Sequence, residues 1–221
     1  MSELLKLEEI DQDGALREAV EEVGATRSDF LRKTAVGGGA LLGTGAFLGA
    51  MPGIALGATP ASDIAILNFA LTLEYLEAAF YTDALKKGRL TGEALKFAQV
   101  VGGHERAHVA FLKGALGSKA GARPRFNFRD TTSDQGKFLA TATVLEDTGV
   151  LAYAGQGPLI KTKAIVKAAL SVLTVEARHA AWVRDIRGNG GAPSPAPKAF
   201  DGARTKRQIL AAVKSTGFIV G

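Results

Sequence analysis

Two short motifs constrain this chain more than anything else in it. Glu105-Arg-Ala-His108 and Glu176-Ala-Arg-His179 both read Glu-x-x-His, and they use two of the three histidines in 221 residues. Residues three apart lie on one face of a helix. Each motif can therefore aim a carboxylate and an imidazole at one point. Two other apolar stretches each carry a glutamate, Glu74 within 67–81 and Glu146 within 138–153. A carboxylate in an apolar stripe is costly unless it is paired or bound to metal. The pattern asks for four helices that bring these six side chains together.

Taken as donors, the six side chains are one Glu from each of two helices and Glu-x-x-His from each of the other two. That set suits two divalent ions held in a helix bundle. Four carboxylates balance two divalent cations, and two neutral imidazoles complete the shells. Carboxylate-rich sites with imidazole favour Fe or Mn over Zn or Cu. The expected ligands are Glu74, Glu105, His108, Glu146, Glu176 and His179, with Glu105 and Glu176 bridging. Glu77, one turn after Glu74, is the competing candidate. Glu74 is preferred because its spacing to Glu105 resembles that from Glu146 to Glu176. The alternative is that the motifs are surface ion pairs and capped core histidines. His104 points about 100° away from Glu105 on a helix, so it reads as a surface or supporting residue. Tyr81 and Tyr153 each follow a candidate Glu by one heptad. They read as core residues with hydrogen-bonded hydroxyls, or as relays.

The rest of the composition fits helices. Hydrophobic residues make up 47% of the chain, enough for a core. Ala and Leu dominate, strand signals are few, and runs of helical period recur, which predicts an all-α fold. There is no cysteine, which excludes disulfides and thiolate metal sites. The net charge of +5 has no dense basic cluster interleaved with aromatics, so a solvated basic surface is expected and no nucleic-acid partner.

In chain order, residues 1–58 form an N-terminal region. Its first part is acidic, with a short amphipathic stretch at 15–23. Thr26-Arg27-Ser28-Asp29-Phe30-Leu31-Arg32 then precedes an uncharged, Gly-rich apolar segment ending at Ala55-Leu56-Gly57. A basic patch, an apolar segment and a small-residue exit predict an export signal. The stretch resembles a twin-arginine signal, with Ser28 where that pattern has its second arginine. A retained membrane anchor is the alternative. Export would place the protein in the periplasm or cell envelope, with membrane contact only through an uncleaved segment.

Residues 59–188 are expected to form the bundle. The predicted helices run from about Asp63 to Lys87 with Ser62-Asp63 as N-cap, Thr91 to Leu116, Ser133 to Ala154, and Thr162 to Arg187. Residues 117–132 are polar and broken by Pro124. They are long enough to return along a helix, which predicts a long crossover between helices 2 and 3. Gly102 and Gly103 suggest a close helix approach or a kink, and Gly149 opens space beside Glu146 and its partners. Residues 189–221 are a Pro/Gly-rich linker and a tail with a short helix from about Thr205 to Lys214. The tail is expected to dock through Phe200, Leu210 and Phe218.

The run Leu67-Asn-Phe-Ala-Leu-Thr-Leu-Glu-Tyr-Leu-Glu-Ala-Ala-Phe-Tyr81, with the Phe-Asp and Phe-Ile pieces of the tail, resembles the ferritin-like domain of exported bacterial and desiccation-related proteins. The resemblance covers residues 62–188 and extends to the tail. It implies a ferritin-like four-helix bundle with a di-metal centre. The reaction then expected is redox chemistry on small molecules, namely dioxygen, peroxide or ferrous iron. The alternatives are a non-enzymatic stress protein with structural or no metal, and mineral storage. A homo-oligomer is compatible with all three.

Overall fold

The computed structural model describes residues 59–188 and 191–220. The N-terminal region, with its export-signal reading, lies outside the described residues. Four long helices form a bundle: α1 Ala61–Lys87, α2 Gly92–Leu116, α3 Gln135–Gln156 and α4 Lys163–Gly188. α1 packs along α2, and α3 along α4. Both connections are short, so each pair is antiparallel. A shorter α5, Lys206–Thr216, follows. The all-α expectation holds.

The segment from α2 to α3 makes the expected long crossover and runs along α1. At one end Asn68 Nδ2 donates to the Lys119 carbonyl at 3.0 Å, and Asn68 Oδ1 accepts from the Gly121 amide. At the other end Lys87 Nζ reaches the Arg129 carbonyl at 3.1 Å, and Thr132 donates to Asp83 at 2.6 Å. These anchors are 19 positions apart on α1, about 29 Å of helix. Within the crossover, β1 (Arg125–Phe126) pairs antiparallel with β2 (Ile219–Val220) near the C-terminus. Phe128 and Phe218 meet edge-to-face just beyond that pairing.

Three features differ from expectation, each for a local reason. Pro60 stands at the N-cap of α1, and Asp63 lies inside the first turn. Its buried carboxylate turns instead to the chain leading into α4, where it accepts the amides of Thr162 at 2.9 Å and Lys161 at 3.1 Å. α3 continues through Gly155 to Gln156. The tail explains that glycine, since a Cβ on Gly155 would lie 2.0 Å from the Arg204 carbonyl oxygen. The tail docks through Phe218 as expected, but Ile209 and Val213 take the places expected of Phe200 and Leu210. Phe200 is 88% exposed and Leu210 40%, whereas Ile209, Val213 and Phe218 are buried. α5 opens with a capping box between Thr205 and Gln208, which fixes its first turn. Capping and the buried Ile209/Val213 stripe set the docking face, and they leave Phe200 on the solvent side.

Candidate metal centre

The six side chains singled out in the sequence converge at mid-bundle, and all are buried. α1 supplies Glu74, α2 Glu105 and His108, α3 Glu146, and α4 Glu176 and His179. The donors fall into two groups, Glu74/Glu105/His108/Glu176 and Glu105/Glu146/Glu176/His179. Within each group, one donor atom from every residue lies within 4.8 Å of the others. Glu105 and Glu176 belong to both groups.

The imidazoles are aimed the same way. His108 Nδ1 lies 3.2 Å from Glu74 Oε2, 3.1 Å from Glu105 Oε2 and 3.2 Å from Glu176 Oε1. His179 Nδ1 lies 3.1 Å from both Glu105 Oε1 and Glu146 Oε2. One ring nitrogen can donate a single proton, so it cannot hydrogen-bond well to every oxygen around it. Glu105 Oε1 and both Glu176 oxygens are buried without a hydrogen-bond partner. Buried polar atoms are rarely left so. Unpartnered oxygens on the two shared carboxylates are what a cation between them would satisfy. The donor chemistry and these orphaned atoms fit metal ions, and the groups can hold them.

The outer oxygens of the two unshared carboxylates are held by tyrosines. Tyr153 of α3 donates to Glu74 Oε1 at 2.5 Å, and Tyr81 of α1 donates to Glu146 Oε1. Each tyrosine thus crosses the bundle to the glutamate on the opposite helix. This is the hydrogen-bonded-hydroxyl reading of both residues. Glycines make the room. A Cβ on Gly102 would meet Tyr81 Cβ at 2.8 Å, and one on Gly149 would meet Glu176 Oε2 at 2.9 Å. Gly102 therefore marks a close approach of α1 and α2.

Two residues sit beside the donors. Glu77 is buried but belongs to neither donor group. Its Oε1 shares the space over Gly149 with Glu176. His104 is exposed, yet its Nδ1 lies 2.9 Å from His179 Nε2, with the rings stacked. Helical spacing aimed His104 away from Glu105 correctly. Its contact with His179 comes from α4, and no spacing within α2 signals it.

Without metal the cluster is electrostatically loaded. Burial raises the carboxyls of Glu176 and Glu77 well above their ordinary range, and neighbouring carboxylates add to it. Burial also raises Glu74, to about 7, and Glu146. Glu105 goes the other way: burial pushes it up, but the close imidazoles of His108 and His179 outweigh that. Burial opposes charge on His179, yet Glu105 and Glu146 lift it to about 10. His108 is raised against burial by Glu74, Glu105 and Glu176.

A four-helix bundle with a long second crossover and a buried Glu/His cluster at mid-height defines the class of ferritin-like carboxylate proteins. The family model described as "Ferritin-like domain" matches residues 62–189, more than half the chain, and the chain belongs to that family. No curated protein matches the chain.

Proposed function

We propose that this is an exported di-metal carboxylate protein carrying two Fe or Mn ions and performing redox chemistry, either iron oxidation or peroxide removal. The carrying observation is the pair of overlapping donor groups that share Glu105 and Glu176. In this reading those two carboxylates would be shared between the ions. Glu74 and His108 complete one ion's ligands, and Glu146 and His179 the other's. Glu77 stays beside them as a neighbouring acid. Two such ions would supply a store of two electrons and open positions for a small oxidant.

The remaining side chains have supporting roles. Tyr81 and Tyr153 orient the terminal carboxylates by holding their outer oxygens. His104 accepts from or donates to His179 Nε2. Such a contact on the far ring nitrogen fixes the tautomer that presents Nδ1 to a metal. Export rests on the basic and apolar segments before residue 58. N-terminal sequencing of the protein from the cell envelope tests that part, and an intact residue 1 on soluble cytoplasmic protein refutes it.

Elemental mass spectrometry of the exported protein, with ferrous and peroxide turnover on the same sample, tests the site. About two Fe or Mn per chain are expected, and Glu105→Ala with His179→Ala should abolish both uptake and turnover. Unchanged turnover in that double variant would refute the assignment. A second reading has one observation behind it: His108 Nδ1 and His179 Nδ1 lie 3.1–3.2 Å from the surrounding carboxylate oxygens, and as imidazolium groups, the direction in which those carboxylates push them, they would pair with the carboxylates in a metal-free structural network. A thermal melt indifferent to chelator and to added Fe or Mn would favour that reading.

A further inference from the structure

We infer that a basic cleft between α1 and the crossover binds the phosphate group of a small organic phosphate. The cleft measures about 500 Å³, within the usual range for small-molecule sites. Residues 79–87 of α1 form one wall and residues 123–129 of the crossover the other. It shares no residue with the six donors of the carboxylate cluster. Lys86, Lys87, Arg123, Arg125 and Arg129 line it, with Asp83 as the one lining carboxylate. Asp83 is already engaged: Lys87 Nζ lies 2.9 Å from it, and the Thr132 hydroxyl donates to it at 2.6 Å. That leaves Lys86, Arg123 and Arg129 with no carboxylate of the lining to balance them. The C-terminal dipole of α1 contributes about half a negative charge, too little to offset three cations. Residues 59–221 as a whole carry 22 Lys and Arg against 13 Asp and Glu, and six of those acids are buried. The cleft concentrates this excess, because Arg123-Pro-Arg-Phe-Asn-Phe-Arg129 sets three arginines within seven residues. A cleft lined by one sign of charge draws in the other.

Arg129 adds a second observation. Its φ is 54°, in the left-handed region where glycine is at ease and other residues are strained. Asn127 holds the turn, its Oδ1 accepting the Arg129 amide at 2.9 Å. The fold thus accepts backbone strain at a position whose side chain lines the cleft, a combination that marks functional sites. The walls then select the ligand. The planar fork of an arginine matches the oxygens of a phosphate in pairs. A phosphate monoester carries nearly two negative charges at neutral pH and three acceptor oxygens, more than a single carboxylate offers. The cleft has several times the room that one phosphate needs, so an organic body fills the remainder. Ala79 and Phe128, both buried, and half-buried Phe126 supply apolar wall for it. A nucleic-acid strand would instead need exposed rings on which bases stack. Here Phe128 is buried, and the Arg123 guanidinium covers the Phe126 ring at 5.5 Å.

Calorimetric titration of the full-length protein tests this without any turnover, using phenyl phosphate, inorganic phosphate and phosphatidylglycerol vesicles as probes. Phenyl phosphate is expected to bind with a Kd below about 1 mM and more tightly than inorganic phosphate. It should shift the amide resonances of Asn127, Phe128 and Arg129. Lys86→Glu with Arg123→Glu, both at exposed positions, should weaken it by about tenfold or more. Lys163→Glu with Lys167→Glu makes the same change of charge at exposed positions on α4 and should leave the affinity unchanged. Arg129→Gly suits the local backbone and should weaken binding while keeping the fold. Vesicle binding that the Lys86/Arg123 pair abolishes would make the source a lipid headgroup, and binding of phenyl phosphate without vesicles would make it a free metabolite. Equal losses in the two charge-reversed pairs would reduce the effect to bulk charge and overturn the inference. A Kd that changes when metal is added or stripped would place the phosphate at the carboxylate cluster and overturn it too. Tighter binding of a thymidine decanucleotide than of phenyl phosphate would overturn it in favour of a nucleic-acid track.

Discussion

Gly149→Ala is the substitution that tests the site geometry most directly. Gly149 lies within α3. Replacing an ordinary mid-helix glycine with alanine stabilises a protein by about 1 kcal/mol. Here the new Cβ would sit 2.9 Å from Glu176 Oε2 and 3.4 Å from Glu77 Oε1. Overpacking of that kind costs about 1–3 kcal/mol. The net expectation for metal-free protein is a loss of about 0–2 kcal/mol. Glu176 relieves the contact by shifting its carboxylate, whose other oxygen lies 3.2 Å from His108 Nδ1. Displacing a ligand's support lowers metal affinity by about 10–100-fold, and the same fall is expected here. Gly103→Ala is the control. Its Cβ would meet nothing closer than an Arg106 nitrogen at 3.9 Å, so it should gain up to about 1 kcal/mol. Urea unfolding in chelator gives the stabilities, and calorimetric titration with Mn(II) gives the affinities. If Gly149→Ala gains as much as Gly103→Ala and binds Mn(II) as tightly as the parent, the placement of Glu176 against α3 is wrong.

Further outcomes follow from the same structure. The metal-free protein should lose stability as pH rises from about 4.5 to about 7. In that window the raised Glu74, Glu77, Glu146 and Glu176 hold protons that the unfolded chain releases, the raised His108 and His179 add to the trend toward pH 7, and the lowered Glu105 and His104 act in the opposite sense. Bound metal replaces those protons and should flatten the trend in chemical denaturation across that range. Asp63→Ala should cost about 1 kcal/mol, the usual effect of removing a carboxylate from helix-leading amides. The loss should shrink in strong acid, because hydrogen bonds hold this carboxyl below its ordinary value against the effect of burial. Its contribution is present above about pH 4 and fades as pH falls further. Ile209→Ala should destabilise by about 2–5 kcal/mol, and Phe200→Ala should stay within about 0.5 kcal/mol, both read from thermal or urea unfolding.

The bundle and its charged centre were legible because their signals are local. Glu-x-x-His is a spacing within one helix, and the near-equal offsets from Glu74 to Glu105 and from Glu146 to Glu176 reflect two helix pairs built alike. The same offsets favour Glu74 over Glu77, and Glu74 is the one found within a donor group. The tail was less legible. Phe200 is the largest apolar residue of its segment, and hydrophobicity alone nominated it. What decides is the phase of a short helix, set by the Thr205 capping box, which turns Ile209 and Val213 inward. Asp63 misled for a related reason. A Ser-Asp pair before an apolar run is a normal start signal, and only tertiary structure reveals amides of Lys161 and Thr162 waiting for the carboxylate. The reach of His104 to His179 likewise depends on the fit of two helices.

The pairing of β1 with β2 gives the crossover a built-in reporter. A protease needs its target backbone freed from other structure, and Arg125 sits in a strand matched to Val220. Arg129 lies just beyond, its side chain on the Gly217 carbonyl. Trypsin can cut after these arginines only when the last strand has let go. The rate of that cleavage therefore measures how often the C-terminal end detaches, at a point nearly a hundred residues away in the chain. A tag or truncation placed at the C-terminus would be read out there first, well before any change reached the carboxylates.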